Sequence, residues 1–176
     1  LTINQRAASV TPNAASKVYG DLDPAPLTTG TLTGFLPADN VTATYSRTAG
    51  ETVAGSPFTI NATLSPVGVL SNYNITYNTA NFTITQRPAS VTPNAANKVY
   101  GDLDPAPLTT GTLTGFLPAD NVTATYSRTA GETVAGSPYT ISATLNPAGV
   151  LGNYNVTYNT ANFTITGTIV TPSITA

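Results

Sequence analysis

The chain repeats itself. Residues 5–85 match residues 86–166 at a constant offset of 81, without a gap. Eight positions differ: Ala7/Pro88, Ser16/Asn97, Phe58/Tyr139, Asn61/Ser142, Ser65/Asn146, Val67/Ala148, Ser71/Gly152 and Ile75/Val156. Solenoid repeats run to roughly 20–45 residues and lean on their neighbours for a core. A period of 81 is too long for that, so each copy must bury its own apolar residues and fold as its own domain. A domain of this size buries roughly two thirds of its unfolded surface, which supports a modest core.

The phase of the repeat sets the boundaries. Leu1-Thr-Ile-Asn-Gln5 aligns with Phe82-Thr-Ile-Thr-Gln86. Residues 1–4 therefore read as the last strand of a preceding copy, 5–85 as the first module and 86–166 as the second. The strand-prone residues 167–176 read as a linker or tail. A three-residue junction, Gln86-Arg87-Pro88, leaves little room for the chain to double back. Each module is then expected to receive the chain at one pole and release it at the other, with first and last strands pointing the same way. Pro88 fixes φ at the joint, and the array is expected to be an elongated, semi-rigid rod.

Composition narrows the function classes. Only 8% of the residues are charged, against roughly 25% in an average globular chain. Neutral polar side chains must supply the surface, and 34 threonines do so. Thr is β-branched and suits the solvent face of a strand. Cys and His are both absent, which excludes disulfides, thiol chemistry and any nucleophilic triad that needs them. Six basic residues and a net charge of −2 give no footprint for nucleic acid. No segment approaches the roughly 20 apolar residues of a membrane span.

Alternation with period two predicts strands. The inward sets are Val41, Ala43 and Tyr45; Phe58, Ile60, Ala62 and Leu64; Tyr73, Ile75 and Tyr77; Phe82 and Ile84; and Ala8 with Val10. Differences between the copies respect this phase. Phe58/Tyr139 and Ile75/Val156 exchange similar volumes at inward positions, and Asn61/Ser142 exchanges polar groups at an outward one. Turns are predicted at residues 20–26, 34–40, 49–51 and 55–57. Residues 78–81 are expected to join the last two strands as a hairpin loop. No window forms a convincing amphipathic helix, and residues 35–40 offer one helical turn at most. The fold class is mostly β: two tandem small β-rich domains, β-grasp-like, with an Ig-like β-sandwich as the alternative.

Several segments carry a resemblance. Ala8-Ser-Val-Thr-Pro12 followed by Lys17-Val-Tyr-Gly-Asp-Leu-Asp-Pro24 resembles the opening of MBG domains of the YGX type. Leu32-Thr-Gly-Phe35, Tyr45-Ser-Arg-Thr-Ala-Gly-Glu51 and Asn72-Tyr-Asn-Ile-Thr-Tyr77 continue it, as does Ala80-Asn-Phe-Thr-Ile84. Such domains occur as tandem repeats in large bacterial surface and adhesin-like proteins. The resemblance implies a secreted or cell-surface repeat module of mostly-β fold. Near-identical copies suit a spacer that holds a distal adhesive domain away from the cell, with a module that contacts glycan or host protein directly and a calcium-rigidified stalk as the alternatives. The partners it implies are neighbouring repeats of the same chain, with glycan or host protein reached through other domains. The chain itself is expected to be monomeric. The resemblance supplies no catalytic residues.

Each candidate site has an ordinary structural reading beside it. Asp21, Asp23 and Asp39, with Asp102, Asp104 and Asp120 in the second copy, are the candidate calcium ligands, calcium being the one cofactor considered. The spacing Asp-x-Asp-Pro lacks the later carboxylates of a dedicated loop, and Asp in a turn ordinarily hydrogen-bonds its own backbone. Lys17 and Lys98 are candidates for a Lys–Asn isopeptide bond, with Glu51 as the promoting acid. Their ordinary reading is an exposed lysine in a polar loop. Arg47 and Glu51 are expected to pair across the turn between them. Tyr45, Tyr73 and Tyr77 are assigned to the core rather than to a carbohydrate platform. A carboxylate pair for glycoside hydrolysis finds no groove in the pattern.

Overall fold

The Thr-spaced apolar residues of each repeat form strands. The computed structural model describes residues 1–168, and the chain divides into two units, Leu1–Gln86 and Arg87–Ala176. Unit 1 contains β1 (Arg6–Pro12), β2 (Ala15–Val18), β3 (Gly30–Thr33), β4 (Thr42–Arg47), β5 (Phe58–Ser65), β6 (Tyr73–Tyr77) and β7 (Ala80–Thr85). A 3-10 turn spans Pro37–Asp39 and a short helix, α1, spans Val67–Leu70. Unit 2 repeats the order with β8 (Arg87–Pro93), β9 (Ala96–Val99), β10 (Gly111–Thr114), β11 (Thr123–Arg128), β12 (Tyr139–Asn146), β13 (Tyr154–Tyr158) and β14 (Ala161–Thr166). Residues 1–5 lie outside any strand, with Leu1 and Ile3 exposed. The tail assigned from sequence begins with Gly167 and Thr168, which are in no strand, and its remainder lies outside the described residues.

Each unit is built from two sheets. In unit 1 a three-stranded sheet has the order β3-β1-β6 and a four-stranded sheet the order β2-β7-β5-β4. Two chain segments serve both. Residues 6–18 enter the first sheet as β1 and the second as β2, and residues 73–85 do the same as β6 and β7. The two segments run parallel throughout, from Arg6↔Tyr73 to Val10↔Tyr77 and from Ala15↔Phe82 to Val18↔Thr85. Every one of these pairs is 67 residues apart, so the register does not slip where the chain changes sheet. The first and last segments therefore point the same way, as the short junction predicts.

The hairpin expected at residues 78–81 does not form. β6 and β7 belong to different sheets, and the segment between them is a crossing. The Asn78 backbone N–H donates to Val10 O at 2.9 Å and its side-chain amide to Thr11 Oγ1 at 2.8 Å. The crossing is thus bonded to β1, not folded back on β6. A second correction concerns Tyr77. Tyr73 is 4% exposed but Tyr77, on the same alternation, is 51% exposed. β6 is an edge strand, and its far end lies where the chain leaves for the other sheet, so cover over its side chains runs out.

The core is small and follows the predicted phase. Ala8, Val10, Ile60, Leu64, Tyr73, Phe82 and Ile84 are buried in unit 1, with β1 of one sheet lying against β5 of the other. The longest helical stretch among the described residues has six residues, too short to cover a sheet. The parallel terminal segments are a grasp-like feature, and the two-sheet core is a sandwich-like one. Pro88 falls at a tolerated place: the antiparallel ladder of its strand begins only at Ser90, so it forfeits no bond there.

Candidate functional site

Alternation continued past its apolar residues leads to charge. On β2 the inward positions after Ala15 are Lys17 and then Tyr19, and on β4 the position after Tyr45 is Arg47. Both cationic side chains therefore point over the four-stranded sheet, from its two edge strands. Their side chains are 6% and 7% exposed. Burial of an unpaired cation is costly, and two carboxylates prevent it. Asp23 comes from the loop after β2, and Glu51 from the loop after β4.

The geometry is closely satisfied. Lys17 Nζ lies 2.8 Å from Asp23 Oδ1 and also reaches Glu51 Oε2. Arg47 grips Asp23 with two bonds, Nε to Oδ2 at 2.6 Å and Nη2 to Oδ1 at 2.9 Å. Nη2 also donates to Glu51 Oε1, and Nη1 to the carbonyls of Thr48 at 3.1 Å and Gly50 at 2.7 Å. All five guanidinium N–H groups have partners, a pattern lysine lacks the donors to reproduce. Beneath it lies an aromatic floor: the Arg47 guanidinium carbon is 4.7 Å from the Phe82 ring centroid and 5.4 Å from that of Phe58. Unit 2 repeats the cluster with Lys98, Asp104, Arg128 and Glu132 over Tyr139 and Phe163.

Two positive and two negative groups neutralise one another and hold one another charged. The Arg47 hydrogen bonds, against the opposing effect of burial, bring Asp23 down to about 2, and Asp104 is held at about 2 by Arg128 in the same way. Lys17 lowers Glu51, with Arg47 adding to the effect. Burial pulls Lys17 down, but its bonds to Asp23 and Glu51 together more than reverse this, and it ends above the ordinary lysine value. Arg47 is raised, chiefly by Asp23. No member titrates near neutrality, so the cluster offers neither a general acid nor a general base at physiological pH.

The sequence-predicted residues separate into different roles. Asp23 does not serve its own turn as expected for a loop Asp. It bridges two strands, because Lys17 and Arg47 face the same interior. Lys17 is likewise not an exposed loop residue but part of β2. Its Nζ meets Asp23 and Glu51, and among the described residues no asparagine is its hydrogen-bond partner, as the candidate isopeptide would need. Glu51 pairs with Arg47 across the turn as predicted, yet Arg47 is buried rather than exposed. Asp39 accepts a hydrogen bond from the Tyr73 hydroxyl, while that oxygen accepts the Leu36 N–H at 2.9 Å. This fixes the 3-10 turn over Phe35, whose ring centroid lies 4.9 Å from that of Tyr73. The Asp39 bond also raises the Tyr73 hydroxyl pKa. The Asp21 N–H donates to Val18 O at 3.1 Å in the turn after β2. Asp102, Asp104 and Asp120 take the corresponding places in unit 2. Among the described residues, no three acidic side chains gather as a metal-holding group.

One further concavity recurs. An open groove of about 560 Å³ lies between edge strands β3 and β4, with Leu27, Leu32, Val41, Ala43 and Tyr45 in its lining and threonines among them. An equivalent groove of the same volume is present in unit 2.

The MBG domain family of the YGX type matches residues 8–83 and again residues 89–164. The chain belongs to this family. No curated protein matches the chain. MBG repeats are found in surface adhesin-like proteins and are structural modules rather than an enzyme family. In this MBG chain the Tyr-Gly-Asp segment has a visible task. Tyr19 packs on the core cluster of Ile60, Phe82 and Ile84. Gly20 takes φ +83, a conformation that side chains disfavour, and the chain turns at Asp21 to bring Asp23 back over Lys17. The MBG signature thus builds one wall of the ion cluster.

Proposed function

We propose that this pair of MBG units is a spacer segment of a large bacterial cell-surface adhesin, holding a distal adhesive domain away from the cell. One observation carries the reading. Within a unit the chain arrives beside Tyr73 at Arg6 and departs beside Val18 at Thr85, at opposite ends of a parallel pair of segments thirteen residues long. A strand path of that length covers roughly 40 Å, so each added unit extends the chain instead of returning it to its start. The fully charged, fully partnered cluster favours a structural role over a chemical one, and the neutral Thr-rich surface suits an exposed, unpaired life outside the cell. The test is small-angle scattering on this chain and on versions with three and four repeats. The maximum dimension is expected to rise linearly with repeat number. A dimension that grows only as the cube root of mass would overturn the spacer reading.

A second reading has its own observation, the groove between β3 and β4 in both units. Its volume falls within the roughly 300–1,000 Å³ of small-ligand sites, and its neutral lining fits a glycan or an uncharged peptide. Micromolar binding in a glycan and host-protein array, lost on filling the groove with Ala43→Phe, would establish it against the pure spacer. The calcium-stiffened variant of the spacer has no comparable support, since Asp23 and Asp39 already serve other partners.

A further inference from the structure

We propose that each unit is a force-bearing clamp, in which the chain's first and last segments resist being pulled apart by shear. The clamp deepens the spacer reading and follows from the topology of each unit, with the Asn78 crossing and the ion cluster reinforcing it. A load applied between the ends of a unit draws residues 6–18 backward and residues 73–85 forward. Because the two segments are parallel, that load lies along their length. Bonds between parallel strands cross the load direction, so every bond is strained at once and they must break together. In an antiparallel hairpin opened from its free end, each bond breaks in turn.

The ladder that takes this load is almost unbroken. It opens with the Arg6 N–H donating to Asn72 O at 3.0 Å and closes with the Tyr19 N–H donating to Thr85 O at 2.9 Å. Between them lie the register pairs of β1 with β6 and of β2 with β7. The sheet crossing, the one place where the ladder could tear, is stitched by Asn78 through both its backbone and its side chain. A constant offset of 67 means that no pair can slip without all of them slipping.

The ion cluster latches this ladder. Lys17 sits opposite Ile84 in the β2–β7 pair, and Asp23 ties it to Arg47 on the far edge strand. Phe82 of β7 lies under the Arg47 guanidinium. Sliding β7 past β2 drags Phe82 from beneath Arg47 and separates Lys17 from its own partner strand, with the cluster unable to follow both. Unit 2 has the same register, from Tyr154↔Arg87 to Thr166↔Val99, and the same latch.

Single-molecule force spectroscopy on the whole chain tests the proposal. The chain has no cysteine, so handles can be placed singly. Tethered at its two ends, it is expected to show two unfolding events, each releasing on the order of 250 Å of chain. A second version carries Ala38→Cys and Gly68→Cys as its handles. Both sites are exposed, and they flank the open end of the β4–β5 hairpin, where load peels bonds in turn. The end-to-end unfolding force is expected to exceed the cross-hairpin force at least about twofold at equal loading rate, because the ladder bonds are loaded together. An end-to-end force equal to or below the cross-hairpin force would overturn the clamp. The scattering and binding tests of the spacer reading do not depend on this outcome.

Discussion

The guanidinium carbon of Arg47 stands 4.7 Å from the ring centroid of Phe82, with a carboxylate, Asp23, gripping it from the side. Phe82 is fully buried, so the arginine closes a hydrophobic core with a charged lid. Its replacement therefore removes four things: the bidentate pair with Asp23, the bond to Glu51, two bonds to the Thr48 and Gly50 carbonyls, and the cover of an aromatic ring. Arg47→Ala leaves Asp23 and Glu51 with Lys17 alone. It is expected to destabilise unit 1 by about 2 kcal/mol, below the scale for breaking a fully buried pair because the Asp23 and Glu51 carboxylates left behind still reach water. Arg47→Lys should recover only part of this, because it restores the charge without the planar fork. Unit 2, left intact, is the internal reference in a thermal melt: one transition should move down while the other stays.

Acid should weaken the fold along a defined stretch of pH. Asp23 and Asp104 stand at about 2 in the folded chain against an ordinary 3.8. A carboxylate depressed by folding contributes stability that is complete above its unfolded value and is lost as pH falls through its folded one. The melting temperature is accordingly expected to be flat above about pH 5, to decline from about pH 4 towards pH 2, and to flatten again below. Glu51, also lowered, adds to the same slope. In an Asp23→Asn, Asp104→Asn double variant the starting stability is lower and the acid slope shallower. An unchanged slope in that variant would show that the cluster is not its source.

Much of this was legible in the sequence, and the losses have physical reasons. The 81-residue period and the inward sets on β1, β4, β5 and β7 follow from alternation alone. β2 and β3, four residues each, are too short for a period to declare itself. The crossing at residues 78–81 carries Asn and Thr, which suit a hairpin loop equally well, and only the pairing of β6 with β1 distinguishes the two. Of the cluster only the Arg47–Glu51 pair is legible from spacing, because a period-two pattern declares itself only while it stays apolar. One more step on β4 reaches Arg47, and the step from Ala15 on β2 reaches Lys17. A cation on the inward phase of two strands demands a carboxylate partner, and the loops that follow those strands carry Asp23 and Glu51. Sequence placed those acids in turns correctly but gave no sign that the turns fold back over one sheet.

Two glycines should respond in opposite ways. A Cβ at Gly30 would come within 2.3 Å of the Tyr45 hydroxyl and 2.6 Å of the Thr11 carbonyl, whereas one at Gly68 meets nothing within 4 Å. Gly30→Ala must push Tyr45 aside or open the β1–β3 pair, at a cost of about 1–3 kcal/mol. Gly68→Ala, in the exposed first turn of α1, should be neutral or stabilising by up to about 1 kcal/mol through the unfolded chain. Chemical denaturation of each single variant, read as a change in midpoint at constant slope, separates the two.

The nearness of Lys17 to Asp23 raises the question of a covalent bond, and the same geometry argues against one. Amide formation needs a neutral amine to attack and a carboxyl oxygen able to leave as water. Asp23 is held ionised by Arg47, and Lys17 is held protonated by the two carboxylates. Condensation would also strip Arg47 of part of its bidentate partner. The intact mass of the purified chain is therefore expected to equal that of its sequence, with no loss of water from a Lys–Asp link or of ammonia from a Lys–Asn link in either unit. Loss of two waters would mean that the cluster is a bond-forming site caught before reaction, and that its stability owes more to covalency than to charge.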